Sequence, residues 1–259
     1  AYQSGLNPFC RGCHVVVGDG LKGTDETLVP IEGGEYVKEA KIGRAVMDAD
    51  IVISLTHFKC HENTGIGGAL KNIGMGCGSR AGKMEMHSLG KPFVSDRCVR
   101  CGACVKVCAH DAITIGEDSA HIDQNRCVGC GRCIGVCPAD AIRPEWSSAL
   151  DALSKKIAEY TYAVLKDKLS FHISFVIDVS PNCDCHREND VPIVPDVGMF
   201  ASFDPVALDV ACADAVNKSP VNPGSLLAKR ASSGDKFNDM HPQTNWRVCL
   251  KHAEKLGLG

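Results

Sequence analysis

The spacing of cysteines between residues 98 and 137 constrains this chain more than any other feature. "CVRCGACVKVC" (98–108) and "CVGCGRCIGVC" (127–137) are two copies of one pattern, C-x2-C-x2-C-x3-C, at a constant offset of 29. The match continues past the cysteines, Asp111-Ala112-Ile113 recurring as Asp140-Ala141-Ile142. Three cysteines this close on one loop reach three corners of a cubane, and the following helical turn carries the fourth away. The spacing therefore predicts crossed ligation. Cys98, Cys101, Cys104 and Cys137 would hold one [4Fe–4S] cluster, and Cys127, Cys130, Cys133 and Cys108 the second. Gly102, Gly129 and Gly131 suit such loops, where backbone must approach sulfur closely. Structural zinc is the competing reading, but zinc ribbons pair two C-x2-C knuckles across a longer gap.

Residues 91–145 as a whole resemble a complete two-cluster bacterial-type ferredoxin. Pro138 follows the last cysteine of the second half, whereas Ala109 takes that place in the first, which removes no ligand. The charges of this segment nearly balance, which suits a built-in relay better than a strongly acidic free carrier.

The flanks read as one interrupted domain, 1–90 and 146–259. "HVVVGDG" (14–20) is a β-branched run ending in a glycine turn, and "EYVKEAKIGRAVMDAD" has helical spacing through Val37, Ala40, Ile42, Ala45 and Val46. "IVISLTHF" reads as a continuous apolar strand of the kind buried on both faces. Leu150, Leu153, Ile157, Tyr160 and Val164 share a helical face, with Ser148 and Asp151 as a capping box. "LSFHISFVIDVS" is a further strand, and "GMFASFDPVALDVACADAVNK" a strand, a turn and a helix with Pro205 in its first turn. Strands alternating with helices predict an α/β fold. The expectation is a mostly parallel sheet with flanking helices, interrupted by a small ferredoxin-like α+β domain.

In such a sheet ligands bind at the carboxyl ends of the strands. Asp19-Gly20, His57, Asp178 through Cys185, and Asp204 are all expected there. "HFKCHENTGIGGALKNIGMG" (57–76) leaves one of these ends. Its glycines lead into "ALKNIG", a short helix whose N-terminus would favour an anion, helped by Lys59 and Lys71. Neither a Walker loop nor a dinucleotide fingerprint is present. His57 and His61 read equally as ligands or as backbone-bonded strand-end histidines, and Asp204 also reads as a helix cap. Asp209 reads as a surface residue.

Sixteen cysteines leave eight outside the repeat. Cys212 and Cys249 sit on apolar helical faces and read as small core residues. Cys183 and Cys185 flank an aspartate in a loop, a good position for metal ligands. With Cys10, Cys13, Cys60 and Cys77 they could build a third metal centre, or remain thiols in an anaerobe's cytosol.

"HFKCHENTGIGGALKN", "CDCHRENDVPIVPDVG" and "ASFDPVALD" resemble the uncharacterised iron–sulfur-centre family named for domain of unknown function 362. The resemblance covers nearly all the chain and implies an inserted ferredoxin at this place. It also implies additional sequence upstream of Ala1. Cys60 departs from it, standing where glycine is expected between the lysine and the second histidine.

The reading is thus an electron-transfer protein or ferredoxin-type oxidoreductase. Two clusters would relay electrons to a crevice of His57, Lys59, His61, Lys71, Asn72, Cys183, Cys185 and Asp204. A redox partner protein or a small-molecule electron acceptor would bind there. A non-redox metal enzyme with a further Cys/His site and a non-catalytic electron carrier are the alternatives. A net charge of −3 argues against nucleic acid. The lack of a membrane-length apolar run or a signal peptide gives an expected cytoplasmic location.

Overall fold

The computed structural model describes residues 5, 9, 12, 14–87, 92–127, 131–144, 150–185 and 190–259. Cys10, Cys13, Gly129, Cys130 and Ser148 lie outside them.

The body is organised around a three-stranded sheet of β3 (Ile51–His57), β10 (Leu169–Val176) and β11 (Gly198–Ser202), with β10 in the middle. β3 and β10 run parallel, Phe175 opposite His57, while β11 is antiparallel to β10, Ser202 opposite His172. The sheet is mixed, not mostly parallel as expected. β11 follows β10 without an intervening helix among the described residues, and an antiparallel neighbour needs no crossover.

Helices α2 (Ala69–Cys77) and α7 (Pro205–Lys218) cover one face of this sheet. Outside them α6 (Leu150–Leu165) packs on α2, and after the short α8 (Lys236–Met240) α9 (Arg247–Lys255) packs on α6. The face predicted for α6 is the one it buries, through Leu153, Ile157, Tyr160 and Val164.

The sheet itself departs from the pattern of a strand buried on both faces. Ser54, Thr56, His172 and Ser174 point toward the helices and are buried, whereas Ile51, Ile53 and Leu55 stand in solvent. Two polar pairs link these elements: in the core Ser54 Oγ lies 2.9 Å from His172 Nδ1, and at its edge the half-buried Asn72 donates from Nδ2 to Thr56 Oγ1 at 2.9 Å. These bonds offset part of the desolvation penalty of the buried polar groups, although His172 Nε2 is buried without a hydrogen-bond partner among the described residues.

Two other expectations fail near the N-terminus. Residues 14–17 form no strand, and Val15, Val16 and Val17 are exposed. The helix expected from residue 35 is instead β2 (Glu39–Gly43), antiparallel to β1 (Glu26–Pro30), followed by the one-turn α1 (Arg44–Met47). Ala40 and Ile42 are buried with Lys41 between them, an alternation that fits a half-buried strand as well as a helix.

A second, smaller hydrophobic cluster gathers Cys104, Ile113, Ala120, Ile122, Cys133 and Ile142. The 29-residue repeat is visible in three dimensions. β6 (Pro92–Val94) pairs with β9 (Ile142–Pro144), and β7 (Ile113–Ile115) with β8 (Ala120–Ile122). Short helices α4 (Ala103–Val107) and α5 (Arg132–Gly135) each follow a left-handed glycine, Gly102 at φ 73° and Gly131 at φ 69°.

Candidate functional site

The parallel pairing of β3 and β10 brings their carboxyl ends to one edge, and the crevice forms there. The stretch after His57 is not an open loop but a hairpin, β4 (Lys59–His61) and β5 (Gly65–Gly67), leading directly into α2. After β10 the chain passes through 177–185 and returns beside this hairpin, held by Cys60 N donating to the Ser180 carbonyl at 3.1 Å.

Asp184 organises the polar centre. His57 Nδ1 lies 2.9 Å from Asp184 Oδ2, and Lys59 Nζ lies 3.2 Å from the same oxygen. His57 Nε2 donates to the Ile177 carbonyl at 2.8 Å. Burial works against the Asp184 carboxylate, but the bonds from His57 and Lys59 outweigh it and hold it below the usual carboxylate range. The aspartate between the two cysteines was visible in the sequence. Its partners were not, since they lie about 125 positions upstream.

On either side of Asp184, Cys183 and Cys185 meet His61: a ring nitrogen and both sulfurs lie within 4.8 Å of one another. Lys71, on the first turn of α2, donates from Nζ to Cys183 Sγ at 3.1 Å. Cys183 is buried and Cys185 exposed. Burial, then the hydrogen bond it donates to Cys183, push the Cys185 thiol up to about 11. His61 Nδ1 accepts backbone N–H groups from Asn63 at 3.0 Å and Thr64 at 3.3 Å. Burial, then the neighbouring Lys71 charge, pull His61 down to about 3. The same two causes depress His87, at the end of α3 (Arg80–His87).

Several expected residues do other work. Asp204 caps α7, its Oδ1 accepting from Val206 N at 2.8 Å and Ala207 N at 2.9 Å. Because β11 is antiparallel, Asp204 leaves it at the end of the sheet opposite His57. Asn72 ties α2 to β3 through the Leu55 carbonyl as well as Thr56. The Cys60 side chain is fully buried in the main core, where Cys212 and Cys249 also lie as expected.

Asp209, expected on the surface, is instead buried, and accepts from Ala69 N at 2.6 Å and Leu70 N at 3.0 Å. The helix N-terminus that was expected to attract an anion already holds this carboxylate of the chain itself. Burial pushes Asp209 up to about 7, against the pull of the two amides. Gly68 is required for this approach, since a Cβ there would overlap Asp209 Oδ1. The sequence did carry a signal, because Asp209 falls on the stripe of Val206, Ala213 and Val216.

The repeat cysteines are divided between two cavities. Cys98, Cys101, Cys104 and Cys137 line one. Cys108, Cys127 and Cys133 line the other, and Cys130 is outside the described residues. Backbone N–H groups point at the sulfurs: Ala112 to Cys108 at 3.3 Å, Ala120 to Cys98 at 3.3 Å, and Ala141 to Cys137 at 3.2 Å. Burial disfavours a charged Cys137, yet amides of Ala141, Ile142 and Ala139 hold it below the usual thiol range. Grouped thiols with donors aimed at sulfur are compatible with iron–sulfur clusters.

A family model described as Domain of unknown function (DUF362) matches residues 1–214. Over 50 residues the chain is 42% identical to one of the subunits of the anaerobic sulfite reductase of Salmonella typhimurium, and equally to its counterpart from Salmonella typhi. Each match covers 17% of this chain and 15% of the relative, so the chain spans a small part of these curated relatives. Among the described residues no helix is long and apolar enough to cross a membrane.

Proposed function

The chain belongs to the family described as domain of unknown function (DUF362), and from that premise we propose an iron–sulfur electron-transfer protein or oxidoreductase. In this reading residues 91–145 form a ferredoxin-like unit with two [4Fe–4S] clusters, inserted between the two parts of an α/β body, 1–90 and 146–259. The clusters relay electrons to the crevice at the strand ends, where a redox partner protein or a small-molecule acceptor binds.

One observation carries this reading: the repeat cysteines sort into two cavities by crossing, Cys137 joining the first loop and Cys108 the second. Four cysteines within eleven residues, twice, have the spacing of iron–sulfur clusters rather than of paired zinc knuckles. Bound clusters supply single-electron transfer. The chain's own part is to hold the thiolates and to tune them with the amide donors of Ala112, Ala120 and Ala141, which bear on cluster potential. Gly131 of the second cysteine loop packs against Met84 of α3, and that helix ends at His87 beside Lys71. α3 thus lies between one cysteine-lined cavity and the crevice. The local identity to part of an anaerobic reductase agrees with redox work.

Iron and acid-labile sulfide in anaerobically purified protein test this directly, at about eight of each per chain. Cys101→Ser is expected to lose about half of both. Two zinc ions per chain without sulfide would refute the reading. A second reading takes His61, Cys183 and Cys185 as a further metal site, on the strength of their convergence within 4.8 Å. About one zinc or nickel per chain in addition to the iron would favour it.

A further inference from the structure

We propose that Cys183 and Cys185 are a reversible dithiol–disulfide pair, a two-electron site at the strand-end crevice. The pair needs nothing beyond the described side chains. That its electrons come singly from iron–sulfur clusters rests on the function proposed above.

Three features support the pair over a metal. The first is proximity: the two cysteines are separated only by Asp184, residues 184–185 form a turn, and the Cys185 thiol donates to Cys183. His57 and Lys59 anchor the Asp184 carboxylate, so the turn is held from between the sulfurs. The second is the Lys71 ammonium, 3.1 Å from Cys183 Sγ. It stabilises a thiolate by a charge-assisted bond and repels a divalent cation from the same sulfur. The third is His61. Its Nδ1 lone pair is taken by the amides of Asn63 and Thr64, which places the ring proton on Nε2. Neither nitrogen then offers a free lone pair to a metal.

The redox step balances on these groups. The disulfide accepts two electrons and one proton, and the S–S bond breaks. One sulfur becomes the Cys183 thiolate facing Lys71, and the other the Cys185 thiol that donates to it. Oxidation returns two electrons and one proton. Two one-electron reduced clusters supply the electrons in one direction and two oxidised clusters take them in the other. Cys183 is buried and Cys185 exposed, so a partner would reach the pair from the Cys185 side.

The test uses the whole protein, equilibrated anaerobically in graded ratios of oxidised to reduced dithiothreitol. It is then acid-quenched and alkylated, and the peptide holding Cys183 and Cys185 is weighed. We expect a two-electron transition between a doubly alkylated peptide and an unalkylated one. Lys71→Met should move the midpoint about tenfold toward the reducing side, about 30 mV for this couple. Lys71→Arg should recover most of that shift. Two cysteines that alkylate at every ratio would overturn the proposal. So would protection from alkylation that ends when a chelator removes about one zinc per chain. Iron and sulfide measured on the same sample separate the two readings. Their absence with a cycling peptide sinks the clusters and keeps the pair, and their presence with an inert peptide does the reverse.

Discussion

At the scale of single residues, carboxylates hold this body together where apolar side chains are expected. Glu159, fully buried on α6, accepts from Glu35 N at 2.6 Å, Val37 N at 2.7 Å and His252 Nε2 at 2.9 Å. It thereby pins the loop before β2 and joins α9 to α6. Asp209 does the same for α2, with a measurable dependence on pH. The unfolded carboxyl ionises near pH 4 and the folded one at about 7. Between those values the folded state keeps a proton that the unfolded chain has shed. Stability from this group therefore falls as pH rises across the window. Relative to Asp209→Asn, the native protein should lose about 4 kcal/mol between pH 4 and pH 8. Urea titrations of both proteins across that range check it. A flat difference would mean that Asp209 ionises as it does in the unfolded chain.

At the scale of elements, the crevice depends on how closely α2 is pressed onto α6. Gly74 makes the approach possible: a Cβ there would overlap the Ile157 carbonyl oxygen and lie 2.6 Å from Thr161 Oγ1. Thr161 Oγ1 itself bonds the Leu70 carbonyl at 2.8 Å, next to the residue that reaches Cys183. Gly74→Ala should cost about 1–3 kcal/mol through overpacking, despite the better helix propensity of alanine. It should also displace Lys71 and so shift the alkylation midpoint of Cys183 and Cys185 in the direction of Lys71→Met. Thermal unfolding and the dithiothreitol series measure the two effects separately. An alanine variant as stable as the native protein would show that the helices can move apart freely.

At the scale of the molecule, the described residues form two hydrophobic clusters: a large one under the mixed sheet and a small one among the repeat cysteines. The small cluster is built around cysteine side chains and short β pairs, little apolar material for independent stability. With the clusters proposed above in place, removing their iron with a chelator should therefore raise amide hydrogen exchange throughout 92–144. Leu153–Val164 on α6 should keep their protection. Loss of protection in both regions together would mean that the two clusters unfold as one unit.

Local sequence was enough for whatever depends on near neighbours. The cysteine repeat, the apolar stripe of α6, the Asp204 cap with Pro205, and the strands at 51–57 and 169–176 were all legible because spacing within a few residues decides them. Residues 35–43 misled because a short amphipathic run fits two periods, and pairing with β1 settled which one applies. Nothing local could show that β11 runs antiparallel and carries Asp204 to the far end of the sheet, or that Asp209 fills the helix N-terminus at Ala69. The sequence likewise marked Lys71, His61, Cys183 and Cys185 as polar residues near strand ends. Only the parallel alignment of β3 with β10, set by contacts more than a hundred residues apart, puts an ammonium against a sulfur.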